Sequence, residues 1–459
     1  MPTDDETDSA LGSAVFGLLD PLLAGSAAGA RADGETAIAS DAHVAAALVR
    51  AERGLLTAYG DLGVMPPARA ERVAPGFRPE VRALAAAALE SGNPVVPLVD
   101  ALRRRTGDAD AALWIHRGAT SQDILDTALM LVAKDGIGVA VEDLAAAASD
   151  LVAQAVAHRD DPAAARTLGQ HAVPITVGAR IAGRLRALVR ARRTLLDAAA
   201  ALPAQLGGAA GTQASFVELF GSEIASRLPS AFAAATGLVA PPAPWHTDRY
   251  PILDLAHAAG AALAAMGALA ADVVTLTRPE IAEASVQRGG GSSTMPQKRN
   301  PVDAVLLRSA AMRAPALIGQ LHTAAGLAGD ERPDGAWHAE WPALQELLRL
   351  LVGAAARTRE LCEGLRFDAE RARENLALTG GLILSERLAL VLKPRIGAAR
   401  FAEVIDRAAA GESLADLVRA LPEVAEQDLA DLLDPARYLG RSGALVDDAV
   451  RTARDEGIR

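Results

Sequence analysis

Cysteine is almost missing from this 459-residue chain. Cys362 stands alone, which excludes an intrachain disulfide and any zinc centre built on paired cysteines. Within TRELCEGL that thiol reads either as a reactive group or, better, as an apolar filler on a buried helix face. Aromatic residues make up 3% of the chain against 51% hydrophobic residues, and long β-branched runs are absent. Alanine-rich, leucine-spaced sequence of this kind predicts an all-α protein of closely packed helices. A positive excess is lacking too: 46 Lys and Arg face 57 Asp and Glu, a net charge of −11, which argues against nucleic acid as a partner. There is no HExxH spacing, nucleotide-binding glycine loop or Ser-His-Asp elbow, so neither a metal nor an organic cofactor is expected. The acidic start MPTDDETDSALGS lacks the basic-then-apolar layout of a secretion signal, which predicts a cytoplasmic protein. One stretch, residues 255–271, carries no charge, but it is short for a bilayer, contains His257 and is bracketed by Asp254 and Asp272. It predicts the central helix of a tight bundle and no membrane partner.

The length allows two or three domains, and breaker residues divide the chain into three helical parts. Residues 1–112 read as a small N-terminal domain, with a helix over 41–62 and breaks at Pro66-Pro67 and Gly92-Asn93-Pro94. Residues 113–353 hold long helical stretches over 123–158, 174–202, 248–283 and 301–327, which must bury their apolar stripes against one another. Residues 354–459 form a third domain of shorter helices, punctuated at Gly380-Gly381, Pro394, Gly411, Pro422 and Pro435.

What the chain concentrates instead is the string GGGSSTMPQKRNP, residues 289–301 within a loop spanning 287–301. Three glycines free the backbone to approach a ligand, while Pro296 and Pro301 stiffen the far side. Ser292 and Ser293 are poor bases in water and need N–H groups and a nearby cation to stabilise an alkoxide. Lys298, one of only three lysines with Lys134 and Lys393, offers a compact point charge. Asn300 adds a donor and an acceptor for a carboxylate. By composition alone the same string is equally a solvated loop.

Two other segments precede long helices. HRGATSQDILDTA, residues 116–128, places Thr120, Ser121, Gln122 and Asp123 at a helix start, where hydroxyls and N–H groups either cap the helix or bind a carboxylate. RTLGQHAVPITVG, residues 166–178, gathers Arg166, Thr167, Gln170, His171 and Thr176, with His171 open to a packing or a catalytic reading.

GSSTMPQKRNP resembles the signature loop of the fumarase/aspartase superfamily, whose members abstract a proton beside a carboxylate and expel a group from the neighbouring carbon. The resemblance implies Ser292 as general base, with Ser293 the second choice, and a carboxylate site lined by Gly291, Thr294, Met295, Lys298 and Asn300. The TS-x-D segment is similar to a site segment of the same family, and brings in Arg117, Thr120 and Ser121. Gln170-His171-Ala172 resembles the lactonising branch, the 3-carboxy-cis,cis-muconate cycloisomerases. PWHTDR, DERPDGAWHAEW, LLDPARYLG and GGAAGT are similar to segments of that branch as well. These strings add Gln213, Arg332 and His338 to the expected substrate contacts, while Trp245, Trp337 and Trp341 read as core anchors. His171 is the candidate acid or electrostatic helper.

The implied reaction is lactonisation of a tricarboxylic muconate in protocatechuate and aromatic-acid breakdown. The alternative is a fumarate-releasing C–N lyase acting on a substituted succinate of the nitrosuccinate, argininosuccinate or adenylosuccinate type. A structural protein on the same scaffold is a third reading, against which Ser292, Lys298 and Asn300 stand together. Three positions depart from the pattern. Gln297 stands where cycloisomerases carry histidine, a form more like argininosuccinate lyases. Arg180 replaces a lysine and favours flat, bidentate anions. Leu168 takes the slot of a histidine in adenylosuccinate lyases. The resemblance also implies a di- or tricarboxylate substrate and a homotetramer, with each site built from three subunits around a central long-helix bundle.

Overall fold

The computed structural model describes residues 37–287, 290, 291, 295 and 297–459. The all-α class holds: eighteen helices and only short two-stranded pieces are present among the described residues. Five helices are the longest of these: α1 (Ser121–Ala157), α2 (Val177–Ala201), α3 (Tyr250–Leu276), α4 (Val302–Gly326) and α5 (Ala336–Gly364). Their alanine and leucine content gives them high helix propensity and lets neighbouring backbones approach closely. In α1 every residue from Ala128 to Ala133 is buried, so this helix is enclosed on all sides.

Two boundaries differ from the sequence expectation, each for a local reason. The helix expected from residue 174 starts at Val177, because β2 (Gln170–Thr176) pairs antiparallel with β1 (Pro162–Thr167). Leu168 and Gly169, with φ of 51° and 84°, make the two-residue turn that closes this hairpin, and Val173, Ile175 and Thr176 suit a strand. The helix expected to reach 283 ends at Leu276, just before Pro279, whose missing N–H and restricted predecessor stop it. The freed chain forms β3 (Ala284–Val286), paired with β6 (Leu365–Phe367). Between them in sequence, β4 (Gly290–Gly291) pairs with β5 (Arg299–Asn300).

The chain divides into two compact units, each made of three segments. The first comprises Met1–Asp143, Ala191–Met266 and Ser309–Arg357. In it, the helix Asp41–Asp61 packs against Ser222–Thr236 at Gly54, where an added Cβ would lie 2.5 Å from the Thr236 methyl. Tyr59, Trp114 and Phe220 form an aromatic cluster, with Trp114 and Phe220 stacked at 6.2 Å. Trp245 and Trp337 are buried, as expected of anchors. The second unit comprises Leu144–Arg190, Gly267–Arg308 and Thr358–Arg459. Its C-terminal helices enclose Leu384, Leu388, Leu392, Phe401 and Val418, and Ala164 of β1 plugs into that core. The hairpin is thereby held rigidly. Cys362 is buried on α5, and burial pushes its thiol well above the ordinary range.

Candidate active site

In the first unit the site candidates gather at the start of α1. Thr120 is the capping residue, and Asp123 reaches back to accept its backbone N–H at 2.9 Å, one half of a capping box. Asp123 is fully buried and does more than cap. It also accepts from the N–H groups of Gly207 at 2.7 Å and Gly208 at 3.0 Å, and from Nε2 of buried His246 at 3.0 Å. One carboxylate therefore binds three segments far apart in sequence, and four donors offset the cost of burying its charge. Glycine is required at 207, because a Cβ there would sit 2.8 Å from Pro244 and 2.9 Å from the Gly211 Cα.

The remaining expected contacts of this unit lie around that anchor. Arg332 donates to the Thr120 hydroxyl at 2.6 Å and to the Ala209 carbonyl at 2.9 Å, while its buried Nε has no partner. The structure thus brings together Thr120 and Arg332, two candidates named from separate segments of the sequence. Ser121 opens α1 half-buried, and Gln213 sits at φ 57° with its N–H bonded to the Gly207 carbonyl. Arg117 lies over the Trp114 ring at 4.7 Å. His338 is exposed and meets the Gly92 carbonyl at 3.0 Å.

In the second unit the hairpin presents His171 directly opposite Arg166. Arg166 and Arg180 both bind the buried carboxylate of Glu283, Arg180 at 2.7 Å, and Asn375 donates to it at 2.9 Å. Arg180 also donates to the Ala164 carbonyl at 2.7 Å, so its planar guanidinium is spent within the protein. Burial works to raise the Glu283 pKa, but the hydrogen bonds from Arg166 and Asn375 and the two guanidinium charges prevail and hold it low. His171 is lowered, first by desolvation and then by Arg166, against an opposing pull from Glu283. A recess of ≈ 430 Å³ opens beside it, lined by Arg166, Gln170, His171, Glu280, Asn375 and Thr379 among others.

The signature loop belongs to this unit. Its feet are joined by the β4–β5 pairing, reinforced by Asn300 donating its side-chain amide to the Gly290 carbonyl at 3.3 Å. Met295 and Lys298 are exposed, and the Lys298 N–H bonds the Met295 carbonyl at 3.0 Å. Ser292, Ser293 and Thr294 lie outside the described residues.

Three acidic or amide groups escaped the sequence reading. Glu283 and Asn375 organise the His171 recess. Glu52, buried on the helix Asp41–Asp61, bonds Nδ1 of His116 at 2.7 Å and the His116 N–H at 3.2 Å, which fixes the start of the HRGATSQD segment. Glu52 stands between Arg50 and Arg53 in the sequence, so nothing local marked it out as the buried member of that charged run.

The lowered pKa of His171 has a measurable consequence. Burial and the Arg166 charge disfavour its protonated form, so its titration is displaced to lower pH. If turnover uses the neutral ring, its acid limb falls below pH 6.5, and Arg166→Gln, by removing a neighbouring positive charge, moves that limb upward. Kinetics across pH 5–8 together with NMR titration of labelled histidine measure this. A limb above 6.5 in the unmodified protein contradicts the assignment.

A family model described as lyase matches residues 100–316. Nitrosuccinate lyase of Streptomyces davaonensis is 46% identical over 454 residues, covering 95% of this chain and 94% of that protein. The 3-carboxy-cis,cis-muconate cycloisomerase of Pseudomonas aeruginosa is 39% identical over 421 residues, covering 87% and 90% respectively. The crystal structure of the 3-carboxy-cis,cis-muconate lactonizing enzyme from Pseudomonas putida matches with a TM-score of 0.81 at 35% identity, covering 90% of this chain and 94% of that one.

Proposed function

Because the chain belongs to the fumarase/aspartase superfamily of lyases, we propose that it eliminates a nitrogen leaving group from a 2-substituted succinate, with nitrosuccinate as the first candidate substrate. The observation that carries this reading is the likeness to nitrosuccinate lyase across nearly the whole chain, with His171 placed opposite Arg166 beside the recess. Burial and the Arg166 charge disfavour the protonated ring that lactonisation would use to deliver a proton to its carbanion. Expulsion of nitrite needs no such donor, because nitrite leaves as a stable anion. Gln297, in place of the histidine of the lactonising branch, points the same way. The elimination reading therefore moves ahead of the cycloisomerase reading, which keeps the support of Gln170-His171-Ala172 and of the Pseudomonas relatives.

In this mechanism the helix start at Thr120 and Ser121, with Arg332 behind it, holds one substrate carboxylate through N–H groups and hydroxyls. Lys298 and Asn300 serve the carboxylate next to the carbon that loses its proton. Ser292 takes that proton, the C–H electron pair forms the carbon–carbon double bond, and the C–N bond breaks. A proton, nitrite and fumarate account for every atom. Gln170 and His171 face the departing group, and Arg180, through Glu283, positions the hairpin.

Each site is proposed to be shared between copies in a homotetramer. Two features support an oligomer: α4 exposes Val302, Val305 and Met312, and α3 has only half of its most apolar window buried although it carries no charge over 255–271. Apolar helix faces of this extent call for a partner.

The test offers purified protein nitrosuccinate and carboxymuconate in parallel. The expected result is nitrite and fumarate in equal amounts from the first. Consumption of the carboxymuconate chromophore with no nitrite released from nitrosuccinate would favour lactonisation instead.

A further inference from the structure

We infer that His257 and His322 form a two-histidine site for a divalent transition-metal ion, Cu²⁺ above the others. The chain has eight histidines. His43, His116, His158 and His246 each lie against a carboxylate, His338 meets a carbonyl, and His171 faces the recess described above. His257 of α3 and His322 of α4 instead meet each other, Nε2 to Nε2 at 2.8 Å, with ring centroids 4.9 Å apart. Both side chains are exposed on the single chain.

Two neutral imidazoles in this arrangement share a single proton, since one nitrogen must donate and the other accept. A metal ion can take the place of that hydrogen bond once the donor ring holds its proton on Nδ1 instead of Nε2. With metal–nitrogen bonds of about 2.0–2.1 Å, two ligands at a right angle stand ~2.9 Å apart and two at a tetrahedral angle ~3.3 Å. The observed spacing lies near the first value, so a square-planar or octahedral ion needs ~0.1 Å of widening and a turn of the exposed rings. Tetragonal Cu²⁺ heads the affinity order for such nitrogen sites, followed by Ni²⁺ and Zn²⁺. No group of three or more His, Cys, Asp or Glu is placed to hold a metal among the described residues, so water fills the other positions. Both rings stay neutral on binding: the donor ring carries its proton on Nδ1 and turns its Nε2 lone pair to the ion.

The experiment titrates the assembled protein with Cu²⁺ and reads the stoichiometry by calorimetry and the nitrogen hyperfine pattern by electron paramagnetic resonance. One equivalent per chain is expected to show coupling to two imidazole nitrogens. His257→Asn and His322→Asn are each expected to weaken that equivalent ~10–100-fold while leaving metal-free activity and helical circular dichroism unchanged. Equal Cu²⁺ binding by the unmodified protein and both variants, or coupling to fewer than two nitrogens, overturns the site.

Discussion

Ser292→Ala lowers turnover ~10²–10⁴-fold, the range a positioned proton acceptor contributes, and Ser293→Ala has a smaller effect. The expectation rests on chemistry: a carbon-bound hydrogen beside a carboxylate is only weakly acidic, so removal of its acceptor raises the barrier directly. Substrate affinity should change little, because carboxylate binding is assigned to Thr120, Ser121, Lys298 and Asn300. Rapid-mixing measurement of kcat and KM on both single variants and the double variant tests the assignment. Full activity in all three would remove the serine loop from the chemistry. The same variant probes sharing of sites between copies. If the His171 hairpin of one chain works with the Ser292 loop of another, mixed oligomers of inactive Ser292→Ala and inactive His171→Ala regain some activity. Proven subunit exchange without recovery would count against shared sites.

Arg249→Met is expected to destabilise the folded chain by ~3–5 kcal/mol, the largest structural effect of any single substitution considered. The guanidinium is completely buried between Asp126 and Glu340, with its shortest contacts at 2.8 and 2.7 Å. Asp126 further accepts from the Trp337 ring N–H at 2.9 Å. Methionine fills a similar volume but leaves two carboxylates facing each other in a region closed to water. The Glu340 pKa is raised, first by burial and also by Asp126, while Arg249 pulls it down. Loss of Arg249 removes that pull, so Glu340 binds a proton in the folded state at pH values where the unfolded chain does not. Stability then falls as pH rises, and the deficit is larger at pH 8 than at pH 5. Denaturant titration at both pH values, with Glu340→Gln added to restore part of the loss, measures the effect. A variant within ~1 kcal/mol of the original at pH 8 would show that the cluster contributes little.

Much of this architecture is legible in the amino-acid string because helix patterning is local. The 37-residue α1 begins within two residues of its expected start, and α4 agrees to a similar margin. The hairpin escaped because Leu168-Gly169 is a poor advertisement for a turn: leucine rarely takes positive φ, and only the pairing of Arg166 with His171 justifies it. Residues with distinctive neighbours, such as Thr120 and Arg332, were proposed from motifs, and the structure brings those two into contact. Glu52, Glu283 and Asn375 were not, because a buried carboxylate or amide is defined by partners tens to about a hundred residues away. Arg180 shows the converse case. Its residue type suits an anion, yet the anion it meets is Glu283.

The four donors converging on Asp123 leave that carboxylate no spare capacity for a new partner. The start of α1, Gly207-Gly208 and His246 are thereby tied to one another through a single saturated group. If the start of α1 binds a carboxylate as proposed, substitutions at 168 on the hairpin, 180 on α2 and 297 on the loop change the surroundings of the departing group without removing any donor to Asp123.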